Sequence, residues 1–186
     1  MKKAWGTSIY DIDCFAPVEE NPKLYEEKNI RLDPELWSKF NIDDLSNVDF
    51  SKWDCAKLMS KGVFSDELSI IPNDTGGIYV YCIEPSIIPN AGSYIMYIGK
   101  ATKTRSESLY KRVQAYKADL TDSSTRPKIH RLLNLWGNYI YVHFLPIAGD
   151  EDEITALEDR LIAAYGRPPC NAELRIKSVR EKIDAY

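Results

Sequence analysis

The sequence predicts an α+β protein: a small three-stranded, mainly antiparallel sheet flanked by helices, behind a mostly helical N-terminal extension. Three observations lead there. Residues 77–83 and 94–100 are short runs rich in aromatic and β-branched side chains, which read as strands. Residues 106–118 and 127–136 follow with apolar positions at helical spacing. A third strand over 139–145 and a long helix from the acidic 150–152 to Tyr165 complete the order β-β-α-α-β-α.

Each element has a local reason. Asn73-Asp74-Thr75-Gly76 is a turn that opens this part of the chain. Pro85 and Pro89 make 84–93 a loop, so the first two strands form an antiparallel hairpin with a long connection. Gly137 and Asn138 turn the second helix into the third strand. Acidic residues at 150–152 suit the positive end of the last helix, and Gly166 with Pro168-Pro169 stops it. Upstream, Asp33 reads as an N-cap with Pro34 in the first turn, and 49–61 reads as a further helix closed by Gly62. The expected organisation is an acidic extension over 1–70, a main domain over 71–175 and a tail over 176–186.

Bulk properties exclude several classes. The chain has 186 residues, of which 44% are hydrophobic, enough to bury a core without covalent staples. Charged residues at 28% fit an ordered protein rather than a disordered one. Cys14, Cys55, Cys82 and Cys170 are scattered with no Cys-x-x-Cys pair, which suits reduced thiols and argues against a disulfide framework or a structural zinc site. Cys82 alternates with Ile78 and Val80 and reads as core. No apolar run reaches the roughly 18–20 residues of a membrane span. The charged start, Met1-Lys2-Lys3, lacks the apolar stretch of an export signal. A cytoplasmic protein with no membrane partner is expected.

Charge is unevenly distributed. Net charge is −4, yet residues 100–131 carry nine Lys/Arg against three acids, which is +6 locally and leaves −10 elsewhere. A basic segment in an acidic chain is an electrostatic footprint for phosphate. Lys100, Lys103, Arg105, Lys111 and Lys117 are the candidate nucleic-acid contacts. A solvated helical face is the plainer account of such a run.

Two charged residues break apolar stripes. Glu158 falls among Ile154, Leu157, Leu161, Ile162 and Tyr165 on the last helix. A buried carboxylate is costly unless compensated, so it either pairs with an arginine or binds a metal. Arg112 adjoins the stripe Leu109, Val113 and Tyr116. It either snorkels at the boundary or aims a planar fork at a phosphate.

Taken together the residues resemble the GIY-YIG nuclease family. Gly77-Ile78-Tyr79 and Tyr97-Ile98-Gly99 carry the two tripeptides. Residues 109–116 look like the helix with the family arginine, 157–162 like the helix with the metal-binding glutamate, and 167–171 like the closing Pro-x-x-Asn segment. The likeness covers about residues 71–175. Tyr116 stands where many members carry a histidine, as in the branch that works in bacterial nucleotide excision repair.

The resemblance implies a metal-dependent endonuclease acting on nucleic acid, most naturally DNA, and leaving 5′-phosphate and 3′-hydroxyl ends. It implies Glu158 as ligand of Mg²⁺ or Mn²⁺ and Arg112 on the scissile phosphate. Tyr79 or Tyr97 would orient or deprotonate water, with Lys100 or the metal lowering its pKa. Tyr116 and Asn171 would play supporting roles. A homodimer is the simplest way to cut two strands with one centre per chain. The alternatives are a non-catalytic nucleic-acid-binding or assembly module on the same fold, and an interaction protein that uses its acidic first part.

Overall fold

In the computed structural model, residues 34–40, 50–85, 92–171 and 175–176 are described. In chain order these contain helix α1 (Pro34–Lys39), strands β1 (Asp54–Lys57), β2 (Met59–Ser60), β3 (Val63–Phe64), β4 (Gly76–Ile83) and β5 (Tyr94–Ala101), helices α2 (Leu109–Ala115) and α3 (Pro127–Trp136), strand β6 (Ile140–Ile147) and helix α4 (Glu151–Ala164). The fold is α+β. The cap expected at Asp33, the interior of the 84–93 loop, most of the extension, Cys14 and the tail beyond Ile176 lie outside the described residues.

The centre of the molecule is β4, buried along nearly its whole length because both faces are apolar. Tyr79 and Tyr81 point to one side, into a core with Leu109, Val113, Tyr116, Ile129, Leu132, Leu133, Val142 and Phe144. Ile78, Val80 and Cys82 point to the other, against Ile98, Leu145, Ile154, Leu157 and Leu161, with Leu36 and Phe40 of α1. Helices α2 and α3 thus cover one face of the sheet, and α1 and α4 the other.

The sheet has four strands, order β1-β6-β4-β5, all antiparallel. The expected third strand is β6; the fourth is new. Of the helix expected over 49–61, the described part, residues 50–61, is not an α-helix. Phe50–Lys52 forms a single 3-10 turn, β1 pairs with β6, and β2 and β3 make a short hairpin. Gly62 misled the reading because a glycine after an apolar run marks either a helix end or a tight hairpin. Here Lys61 (φ +53°) and Gly62 (φ +80°) supply the two left-handed residues of a hairpin turn. Sheet pairing therefore begins inside the segment assigned from sequence to a helical extension.

Several termini form for the reasons expected. Asp150 accepts a bond from the Glu153 amide at 2.9 Å and caps α4, whose first turn holds Glu151, Asp152 and Glu153. Pro127 starts α3. Helix α2 is shorter than the pattern suggested, because Tyr116–Leu120 tightens into a 3-10 turn. Ser108 caps α2, and its hydroxyl also reaches Asn73 Oδ1 at 2.6 Å, so the helix is anchored to the turn before β4. Tyr165, read as part of the α4 stripe, is 51% exposed at the helix end.

The β4–β5 register sets the site. Tyr79 lies opposite Gly99 and Tyr81 opposite Tyr97. An extra residue, Met96, then sits in β5 between the partners of Tyr81 and Cys82, and this bulge lets Met96 and Tyr97 both reach the tyrosine side. A Cβ on Gly99 would come within 2.5 Å of the Tyr79 ring carbon and hydroxyl. Only glycine leaves that ring its place.

Gly99→Ala should lower stability by about 1–3 kcal/mol, the usual cost of overfilling a packed core. A urea midpoint within error of wild type would contradict this packing account.

Candidate active site

Four tyrosine rings, Tyr79, Tyr81, Tyr97 and Tyr116, form one cluster under α2, with every pair of centroids 5.4–6.1 Å apart. Tyr79, Tyr81 and Tyr116 are fully buried; Tyr97 is half-buried. The hydroxyls of Tyr79 and Tyr116 are 2.6 Å apart, and that of Tyr116 donates to Tyr97 at 3.2 Å. A phenol has one proton. Since Tyr116 spends its proton on Tyr97, Tyr79 must donate to Tyr116. Tyr79 in turn accepts from the Arg112 guanidinium. The chain Arg112, Tyr79, Tyr116, Tyr97 therefore runs in one direction, and the Tyr97 proton is not used within it.

Burial pushes the Tyr79 hydroxyl well above the ordinary phenol range; Tyr116, Tyr97 and Tyr81 push the same way, and Arg112 pulls it back only in part. Burial likewise raises Tyr81, with Arg126 and Arg112 opposing. Tyr116 is raised by burial first, then by Tyr97. These shifts are opposite to what a base at neutral pH needs. Tyr79 is therefore a proton holder that hands on a hydrogen bond.

Glu158 sits on the middle of α4, 7% exposed. Burial raises its pKa, opposed by Arg175, Lys100 and Arg112, with Asp159 pushing up. Arg175 Nη1 stands 3.5 Å from its Oε2, yet that oxygen accepts no hydrogen bond. Arg112 Nε is also buried without an acceptor. Although α4 and α2 pack on opposite faces of the sheet, the charge of Arg112 is felt at both Tyr79 and Glu158. The apolar residues around Glu158 on α4 pack on the face opposite the phenols, and Arg112 is the group whose charge acts on both.

Asn171 explains why the β5 side of the sheet is ordered. Strand β5 is an edge strand. The Asn171 amide donates to the Ile98 carbonyl at 2.7 Å and accepts from the Ile98 amide at 2.9 Å, while the Cys170 amide donates to the Met96 carbonyl at 2.9 Å. One side chain substitutes for a neighbouring strand and fixes the backbone on either side of Tyr97. The bend before it, Gly166 and Arg167, is left-handed at both residues (φ +64° and +67°) and leads into Pro168-Pro169.

The basic residues divide. Lys100 does not approach the phenols: its ammonium bonds Thr155 on α4 and lies 3.5 Å from Glu151, so it is not placed to lower a tyrosine pKa. Lys103 holds the Asn73 carbonyl at 3.0 Å. Lys117 stands 5.6 Å over the Phe64 ring. Arg105 and Lys111 are exposed. Reading the sequence missed Tyr81 and Arg126. Tyrosine is too common in strands to signal a site, and Arg126 was one charge among nine.

Among the described residues no three His, Cys, Asp or Glu side chains converge as a metal-binding group. A hard divalent cation that keeps several waters needs only one or two carboxylates. A half-unsatisfied, buried Glu158 fits that demand. The three described cysteines are free. Among the described residues no helix is long and apolar enough to cross a membrane. No family model, curated protein or solved structure matches the chain.

The tyrosine cluster predicts alkaline lability. Because the folded phenols titrate above their unfolded value of 10, their contribution to stability is full below pH 10 and is lost as pH rises beyond it. Absorbance at the tyrosinate band should therefore rise in two phases, exposed phenols first and the cluster only with unfolding. A single phase with the fold intact would contradict the buried chain.

Proposed function

We propose that the protein is a divalent-metal-dependent endonuclease of the GIY-YIG type, acting on DNA and leaving 5′-phosphate and 3′-hydroxyl ends. One observation carries this reading. Tyr79 on β4, Tyr97 on β5, Arg112 on α2 and Tyr116 after it join in one chain of hydrogen bonds, Asn171 braces the strand beneath it, and Arg112 acts electrostatically on both Tyr79 and the buried Glu158 of α4. Arg112 Nε donates and Glu158 Oε2 accepts no hydrogen bond, though both are buried, and a carboxylate with only Arg175 at 3.5 Å is incompletely compensated.

Glu158 is the residue that would hold Mg²⁺ or Mn²⁺. When bound, such an ion polarises a phosphate oxygen and stabilises charge on the leaving oxygen. The rest falls to the chain. Arg112, half-buried and braced on the Tyr79 hydroxyl, offers its guanidinium to a non-bridging oxygen of the scissile phosphate and offsets the charge that builds there. Tyr97 orients the attacking water at its Oη, the bond from Tyr116 holds that hydroxyl in place, and the water's proton passes to solvent as it attacks. Tyr79 keeps its proton and holds both Arg112 and Tyr116 in place. Arg105 and Lys111 give the strand its first electrostatic contact. Two copies would cut both strands of a duplex.

A non-catalytic binding module on the same fold is the second reading, favoured by the 3.5 Å approach of Arg175 to Glu158, which already offsets part of the charge a cation would neutralise.

The decisive experiment is plasmid nicking in Mg²⁺ or Mn²⁺. Glu158→Gln and Arg112→Ala should each lower the rate by about 10²–10³-fold or more with the fold retained. Tyr97→Phe should cost more than Tyr116→Phe. Wild-type-like cleavage by Glu158→Gln would refute the metal role, and no cleavage by wild type of any DNA or RNA substrate would favour the binding module.

A further inference from the structure

We infer that Arg126, anchored by Asp119, is a positioning residue that holds Tyr116 in the hydroxyl chain; the inference rests on the nuclease reading of the tyrosine site. The guanidinium carbon of Arg126 lies 4.5 Å from the centre of the Tyr116 ring. Its Nη1 bonds Asp119 Oδ2 at 2.8 Å. The Asp119 side chain is only 5% exposed, and burial raises its pKa against the pull of Arg126. An acid so buried is tolerated because that arginine meets it.

The backbone explains why ring and acid serve one arginine. Tyr116 and Asp119 lie in the same 3-10 turn, Tyr116–Leu120. With three residues per turn, positions three apart eclipse each other. A guanidinium reaching Asp119 from α3 therefore crosses the face of Tyr116. Helix α3 holds that turn at its far end as well: His130 Nδ1 meets the Asp119 carbonyl oxygen at 2.7 Å, and Asn134 donates to the Leu120 carbonyl at 3.2 Å. Tyr81 packs against the same ring edge-on, with centroids 5.4 Å apart and planes at 74°. The ring is thus fixed by a cation on its face and by a second aromatic, which sets its hydroxyl between those of Tyr79 and Tyr97.

The same geometry argues against Arg126 as a phosphate ligand. One face of its guanidinium is spent on the ring and one edge on a carboxylate, whose charge would repel a phosphate. Arg112, by contrast, keeps its Nε free. Loss of Arg126 should therefore lower kcat and leave KM alone.

The test compares Arg126→Ala, Arg126→Lys and Asp119→Asn in the full chain. Steady-state cleavage of a duplex oligonucleotide in Mn²⁺ is measured beside NMR of metal-free protein labelled at the tyrosine ring carbon that bears the hydroxyl, with the Tyr116 signal identified from Tyr116→Phe. For Arg126→Ala the expected result is a kcat roughly ten- to hundredfold lower at nearly constant KM, the cost of a misplaced group near the chemistry. The Tyr116 resonance should shift or broaden. Asp119→Asn should move both readouts the same way. Arg126→Lys, which keeps the cation but loses the planar fork, should recover part of each. A folded Arg126→Ala protein with an unmoved Tyr116 signal, or a rise in KM alone, would overturn the inference. Should alanine prevent folding, the lysine and Asp119→Asn proteins carry the same test. If wild type cleaves nothing, the nuclease reading fails and the NMR comparison alone decides the role of Arg126.

Discussion

A ring lying over a glycine governs this structure. Because β4 and β5 pair so that Tyr79 faces Gly99, the Tyr79 side chain can lie flat across the neighbouring strand instead of standing away from it. Its hydroxyl then arrives under α2, where Arg112 and Tyr116 meet it. Shifting that register by one residue would send Tyr79 and Tyr81 to the opposite face and replace them with Ile78 and Val80. The bulge at Met96 confines the irregularity to the far end of the pair and keeps Tyr97 with the others.

The energetic character of the neighbourhood follows from that packing. Three phenols without solvent and an arginine pack together, and they satisfy one another only in part. The hydroxyl chain runs in one direction, and beside it Arg112 Nε and Tyr81 Oη are buried with no hydrogen bond, as is Glu158 Oε2 on the other face. Buried polar atoms left in that state cost stability, on the order of 1–3 kcal/mol each.

Much of this was legible from residue order, and the reasons differ by element. Helix α4 announced itself through an acidic first turn and a glycine stop, and α3 through apolar positions at helical spacing, all local signals. Glu158 stood out because a carboxylate inside an apolar stripe is anomalous under any fold. Strand β1 was not legible: four residues at a sheet edge carry too little alternation, and Gly62 has the same meaning to a helix end as to a hairpin. Arg126 and Asp119 were hidden for another reason. Their link to Tyr116 depends on a 3-10 turn that replaces the last turn of the expected helix, and helical spacing of three or four residues fits both. The role of Asn171 could be named only as fixing a neighbour. That the neighbour is the backbone of Ile98 is a matter of sheet order, which no short motif encodes.

The Asn171 bond has one more consequence, for how molecules of this protein avoid one another. An uncovered edge strand invites the same strand of another copy, and fused sheets grow into aggregates. Here the edge is closed by a carboxamide that imitates a peptide group, backed by the Cys170 amide and tied through Lys128 to the start of α3. The segment that braces the backbone around Tyr97 also keeps another strand from pairing there, so colloidal behaviour and the placing of the tyrosine cluster answer to the same few atoms.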